Sequence, residues 1–206
     1  FDEQNRDFSS EFDSIFKEIE STLSLWDENS IIRRVNRNDT TVVLNQIFID
    51  NFNYAMRAAE LSDGYFDPTV GPLVQAWGFH FKEGIEMTPE IVDSLKQLVD
   101  YRKVKIENNK VVKGNPNMTL DFNAVAQGYT TDMIGDFLLS KNVNNFLVDV
   151  GGEILARGRK PNGELWKVGI EKPAENKDSE RIVQEIVELK DRSIVTSGNY
   201  RKYVER

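Results

Sequence analysis

Cysteine is absent from the 206 residues, which excludes disulfides, thiolate nucleophiles and cysteine metal sites. Histidine occurs once, as His80. A Ser-His-Asp triad or a multi-histidine metal centre would have to be assembled around that one side chain. His80, between Phe79 and Phe81, is assigned no catalytic part. Any bound metal therefore prefers oxygen ligands, which points to Mg²⁺ or Ca²⁺. Long apolar runs are also missing: no more than three apolar residues stand in a row, so no segment has the apolar length of a bilayer-spanning helix. Positive charge is in deficit, with 26 Lys and Arg against 34 Asp and Glu and a net charge of −8. Nucleic-acid binding relies on cationic side chains to replace phosphate counterions, so no nucleic-acid partner is expected. What the chain has is core material: 39% hydrophobic and 10% aromatic residues exclude wholesale disorder. The chain opens on Phe1 and closes on a strand-like Tyr200-Arg201-Lys202-Tyr203-Val204, which gives the expectation of a part of a longer protein.

Phe8, Phe12, Ile15, Phe16, Ile19 and Leu23 recur at helical spacing and predict a helix over 8–24. Ser30 is placed to cap a short helical turn over 31–36. A second amphipathic helix follows over 45–62, stopped by Gly64, and a short one around Leu73 to Trp77. Thr88-Pro89-Glu90 predicts another helix start, with Thr88 as cap and Pro89 in the first helical position. Val104 to Val112 around Asn108-Asn109 reads as a hairpin. Residues 119–121 are expected to end a strand, and 124–140 to form a helix in which Gly128 permits close approach to a neighbour. Strands are predicted over 146–150, 154–156, 166–170, 182–189 and 193–196. Helices first, antiparallel-style strands later and one helix between them favour an α+β fold in a single domain over 1–206.

Three segments have residues suited to chemistry. Asp121-Phe122-Asn123-Ala124-Val125-Ala126-Gln127-Gly128-Tyr129 stands where a strand gives way to a helix. Unpaired N–H groups at a helix start attract phosphate, and an adjacent carbonyl and carboxylate could complete a Mg²⁺ shell. Taken alone, the segment is equally a strand–helix junction with Asp121 as a cap. Gly64-Tyr65-Phe66-Asp67-Pro68-Thr69 sets two aromatics beside a carboxylate, as a wall for a flat ring or as a packed turn with Tyr65 and Phe66 in the core. Thr196-Ser197-Gly198-Asn199-Tyr200 offers hydroxyls and amides at a strand end, or only a turn. Trp26 is suited either to core packing or to covering a ligand.

In this order the segments resemble the ApbE family of flavin transferases (FAD:protein FMN transferases). The matching residues are Ser24-Leu25-Trp26 with Ser30 and Asn36, the run Gly64 to Leu73 with Trp77-Gly78-Phe79, Asp121 to Tyr129 with Asp132, Asp149 to Ile154, Pro161 to Gly163 with Trp166, and Thr196 to Tyr200. The Asp121 to Tyr129 run looks like the variant of Bacteroidetes-type members. The resemblance implies an α+β, T-fold-related domain. It further implies Mg²⁺-dependent transfer of FMN from FAD to a Thr or Ser hydroxyl of an acceptor protein, with release of AMP. The alternatives are FAD hydrolysis to FMN and AMP, or FAD binding without turnover.

Carried over residue by residue, the resemblance makes Trp26, Tyr65, Phe66, Asp67, Asp121, Gln127, Thr196 and Ser197 contacts of FAD. The Ala124 carbonyl becomes a Mg²⁺ ligand, and Asp121 the catalytic candidate. Gln127 stands where many members have lysine, a neutral amide in place of a positive charge. A Gly-Thr strand usual before the first helix is not in the chain. Nor are the His-x-x-Asp-Pro-x-Thr-Gly and Asp-Ala-x-x-Thr segments, the latter a source of side-chain Mg²⁺ ligands. A chain ending at Arg206 is therefore expected to keep only the backbone ligand and to have weak or no catalysis. The implied setting is the periplasm or a lipoprotein on the inner membrane, with a lipid anchor outside this chain. The implied partner is a flavin-accepting membrane or periplasmic redox protein.

Overall fold

The computed structural model describes residues 4–79, 84–172 and 182–197. The apolar stripe of the first segment winds into helix α1, Ser9–Leu23. Ser30 ends the next loop: its hydroxyl accepts from the Arg33 N–H and starts α2, Ile31–Asn36. Asn45 does the same for α3, Gln46–Leu61, by accepting from the Phe48 N–H. Side-chain caps of this kind satisfy donors that a helix start leaves open. Pro72 sits in the first turn of α4, Gly71–Ala76, and Thr88 and Pro89 open α5, Pro89–Lys96. Strands β1 (Val104–Glu107) and β2 (Lys110–Lys113) pair antiparallel, with Glu107 opposite Lys110. Asn108 and Asn109 between them have φ of 50° and 58°, the left-handed pair that a two-residue hairpin turn needs. Helix α6 then runs Asn123–Ser140.

The chain divides into two compact units, Phe16–Ala126 and Phe1–Ile15 with Gln127–Arg206. In the first, the helical unit, Ile32, Phe48, Met118, Leu120 and Phe122 are almost fully buried. The Phe122 ring meets Phe48 edge-on at 5.4 Å and Phe52 at 6.4 Å, an arrangement that suits the ring quadrupoles. Phe122 immediately precedes α6, so packing in this core fixes where α6 begins.

In the second, the sheet unit, β3 (Phe146–Val150) and β4 (Glu153–Arg157) form a hairpin, and β7 (Arg192–Ile194) lies antiparallel on the other side of β4. Strands β5 (Trp166–Glu171) and β6 (Val183–Leu189) pair separately, also antiparallel. Ile134, Leu138, Val143 and Phe146 make the core, with Phe8, Phe12 and Phe137 packed against it. The close glycine of α6 is Gly135 rather than Gly128. A Cβ at Gly135 would lie 2.5 Å from Leu155 Cδ2, whereas one at Gly128 would meet no described atom within 4 Å.

The α+β reading holds, with every described strand pair antiparallel. A second local expectation fails, after that for Gly128. Residues 119–121 pair with no described strand, and a side chain on α2 takes the place of a strand neighbour at Leu120. No described helix is long and apolar enough to cross a membrane.

Candidate active site

The Asn36 side-chain amide donates to the Leu120 carbonyl at 2.9 Å, and its oxygen accepts from the Leu120 N–H at 2.7 Å. One amide thus reproduces both bonds of a strand neighbour. The next N–H, that of Asp121, donates to the Pro68 carbonyl at 2.8 Å. The Asp121 carboxylate accepts from the Asn123 N–H at 2.9 Å. The Phe122 carbonyl takes the N–H groups of Val125 and Ala126, which begins the helix. Asp121 is therefore a helix-start carboxylate, favourably placed against the positive end of α6. Ala124 lies exposed in the first turn.

The Asp121–Pro68 bond joins this corner to the bend that contains Tyr65, Phe66 and Asp67. Asp67 is heavily engaged. One carboxylate oxygen accepts from the Thr69 N–H (2.8 Å) and hydroxyl (2.6 Å), and the other from the Tyr101 N–H (2.9 Å). Thr69 Oγ1 in turn accepts from the Asp100 N–H at 2.9 Å. Tyr65 is 98% exposed, so it is no core residue, and Phe66 is half-buried. Trp26 is 59% exposed. Surface aromatics of this size are available to stack on a flat ligand.

Beside Asp121 lies a recess of about 160 Å³, walled by Leu25, Arg33, Arg37, Gly71, Gln75 and Thr119 among others. Its size suits one polar portion of a dinucleotide. Tyr65, Phe66 and Asp67 do not line it. Thr119 Oγ1 is buried there without a hydrogen-bond partner. A buried hydroxyl left unsatisfied is costly unless a ligand or water completes it. Gly71 makes the space: a Cβ on it would stand 2.6 Å from Thr119 Oγ1. Arg37 donates to the Glu28 carbonyl at 2.7 Å, which braces its guanidinium at the rim. On the far side of the same segment, Lys113 Nζ donates to the carbonyls of Met118 (2.9 Å), Asn36 (3.2 Å) and Val35 (3.4 Å). Burial pushes the Lys113 pKa below its ordinary value. Neither Thr119 nor Lys113 was among the residues singled out from the sequence, because nothing local marks either one. Gly71 stood inside the matching Gly64 to Leu73 run, with no role attached.

The remaining candidates belong to the sheet unit. The Gln127 amide donates to the Val150 carbonyl at 2.7 Å, at the Gly151-Gly152 turn. Gly151 has φ +61°, a conformation that favours glycine, and a Cβ on it would press on that amide and make it shift. Gln127 is thus half-buried and spoken for by the turn. Glu153, at the start of β4, keeps one buried carboxylate oxygen without a partner. Burial first, then the nearby Asp149 charge, raises its pKa. Thr196 and Ser197 follow β7 and are exposed. His80 and Gly198 to Tyr200 lie outside the described residues.

For magnesium the fit is narrow. Ala124 offers one carbonyl, and no three His, Asp or Glu side chains gather as a metal site among the described residues. For a nucleotide the fit is better: a polar recess, an unsatisfied hydroxyl and arginines at its wall meet the needs of an anionic, hydroxyl-rich ligand.

These features describe an α+β protein with a polar recess at a helix start. The sequence profile of the ApbE family matches residues 2–206, and the chain belongs to that family. It is 32% identical over 210 residues to the FAD:protein FMN transferase of Vibrio cholerae, covering 98% of this chain and 61% of that protein. It is 30% identical over 204 residues to the enzyme of that name from Haemophilus influenzae, covering 95% of this chain and 58% of that protein. The chain thus spans about three fifths of the length of these curated relatives. Among solved structures, the flavin transferase ApbE of Vibrio cholerae superposes with a TM-score of 0.84 at 30% identity, over 100% of this chain and 66% of that one. The ApbE protein of Thermotoga maritima gives 0.84 at 26% identity, over 97% of this chain and 64% of that one.

Proposed function

We propose that this chain is part of an enzyme that transfers FMN from FAD to a threonine or serine hydroxyl of an acceptor protein. The acceptor oxygen attacks the FMN phosphorus and forms the new P–O bond. The P–O bond to AMP breaks, AMP departs with the electron pair, and the hydroxyl proton is released. The acceptor brings the nucleophile, which accords with a chain that has no cysteine and one histidine. Phosphoryl chemistry of this kind needs positioning and charge stabilisation more than a covalent enzyme intermediate.

The observation that carries the reading is the 2.8 Å bond from the Asp121 N–H to the Pro68 carbonyl, which sets the helix-start carboxylate next to the aromatic bend. In this reading Asp121 contacts FAD, and Trp26, Tyr65 and Phe66 give flat surfaces for its rings. Asp67 acts by holding the bend. Gln127, Thr196 and Ser197 lie in the sheet unit, and a part for them rests on the family resemblance alone. Magnesium would take the Ala124 carbonyl as one ligand and supply charge neutralisation at the diphosphate. The proposal extends to one ApbE-like domain over the whole chain, a location in the periplasm or as an inner-membrane-anchored lipoprotein facing it, and a membrane or periplasmic redox acceptor, all three on the family resemblance alone.

Incubation of the full-length protein with FAD, Mg²⁺ and a threonine-containing flavinylation peptide tests it. A mass gain of one FMN on the peptide, lost with a magnesium chelator, is the expected result. FMN and AMP without that gain would make the protein a hydrolase, and bound FAD without turnover a binding protein.

A further inference from the structure

Residues 118–120 follow a turn at 116–117 and lie beside no described strand, yet Met118 and Leu120 are almost fully buried. Backbone polar groups in such a place need partners. Two side chains provide them. The Asn36 amide closes a two-bond pair on Leu120, 84 residues away in sequence. The Lys113 ammonium has three N–H donors and uses them on three carbonyls: Val35 and Asn36, at the end of α2, and Met118. The last carbonyls of a helix have no partners within the helix and have the negative end of its dipole, so a cation is favoured there. The ammonium thus fastens the end of α2 to Met118, and Asn36, the last residue of α2, fastens it to Leu120. Thr119 lies between the two fastened residues and lines the recess, its hydroxyl buried without a partner, and Asp121 follows directly.

We propose that Asn36 and Lys113 are positioning residues of the nucleotide site: they act as a surrogate strand that holds Thr119 and Asp121 in register at the recess wall. This deepens the flavin-transferase reading and rests on it for the identity of the ligand. The physical claim is separate from it. Asn36 supplies both a donor and an acceptor, so Asn36→Asp, of nearly equal size, keeps the acceptor for the Leu120 N–H but sets a carboxylate oxygen against the Leu120 carbonyl. Lys113→Met keeps most of the stem and removes the charge, whereas Lys113→Arg keeps a cation with donors.

The experiment uses the full-length protein and two readouts. Amide hydrogen exchange at Leu120 and Asp121 follows the segment itself. FAD titration follows the site. For Asn36→Ala, Asn36→Asp and Lys113→Met, exchange at these two amides is expected to speed up by at least about tenfold relative to buried amides of α3. The FAD dissociation constant is expected to rise by about tenfold, with Lys113→Arg restoring most of the loss. In an Asp121→Asn background the same changes are expected to weaken FAD by less than about threefold more, because residues that act through one another are not additive. Unchanged exchange at Leu120 and Asp121 in any folded variant overturns the proposal. So does a loss of FAD affinity that adds in full to that of Asp121→Asn, which would mark Asn36 and Lys113 as stabilisers with no link to the corner. Should Asn36→Ala not fold, Asn36→Asp and Lys113→Met give the same decision. A wild-type protein that fails to bind FAD overturns the flavin reading, and the exchange data still decide whether the surrogate strand exists.

Discussion

Asp67 and Asp121 are both carboxylates at the edge of a bend, two residues before the N–H that each one caps, and the family resemblance makes both of them contacts of FAD, with Asp121 the catalytic candidate as well. The structure separates them. Asp67 accepts three hydrogen bonds, two from Thr69 and one from Tyr101, 34 residues away. Asp121 accepts from the Asn123 N–H and stands at the wall of the recess. The first carboxylate is committed to architecture, since each of its donors would be left unsatisfied without it. The second pairs a local cap with a position where a ligand can reach it. One carboxylate thus builds the bend, and the other, in the proposed reading, is the one that meets a ligand at the recess.

The comparison is most exposed to Asp67→Ala. It strands three donors, and a loss of about 3 kcal/mol in unfolding free energy is expected by urea titration. A loss under about 1 kcal/mol would return Asp67 to the list of ligand contacts. Asp121→Asn is expected to do the reverse, with stability within about 1 kcal/mol of wild type and a transfer rate about 10²-fold lower. An unchanged rate would remove Asp121 from the site. Gly71→Ala sharpens the case for the recess. The new methyl would overpack Thr119 Oγ1 and cost about 1–2 kcal/mol, and Thr119→Ala in the same chain is expected to recover most of that by opening the space. Double-variant melts check it.

Asp39 gives a control away from the recess wall. The Thr41 hydroxyl and N–H, then Arg34, hold its pKa down from 3.8 to about 2. A carboxylate depressed on folding contributes stability that is whole above its unfolded pKa and fades as pH falls toward the folded value. The urea midpoint is therefore expected to drop between 3.8 and about 2, and Asp39→Asn to flatten that slope slightly, with FAD affinity at neutral pH unchanged.

Much of the chain follows rules that act within a few residues. Ser30, Asn45 and Thr88 cap the helices they precede. Asn108 and Asn109 turn the hairpin, and Pro89 opens α5. Capping, turn formation and helical spacing need only neighbours in sequence, so the sequence alone determined them, together with the α+β class, the absence of thiol chemistry and the run around Asp121 that marks the family. The bonds that shape the site are of another kind. Asn36 meets Leu120 across 84 residues, Lys113 meets Val35 across 78, and Tyr101 meets Asp67 across 34. Residues 119–121 were legible as a strand end but not as lying beside no described strand, since nothing nearby in sequence shows that a side-chain amide stands in for a strand. Gly128 and Gly135 look alike in the helical pattern, and only the packing of Leu155 distinguishes them. Backbone conformation is a local free energy and is written locally. Which buried donor finds which acceptor is settled only when the chain has closed its long loops, and so the tertiary structure alone decided that Asp67 braces, that Tyr65 stands in solvent and that Thr119 faces the recess.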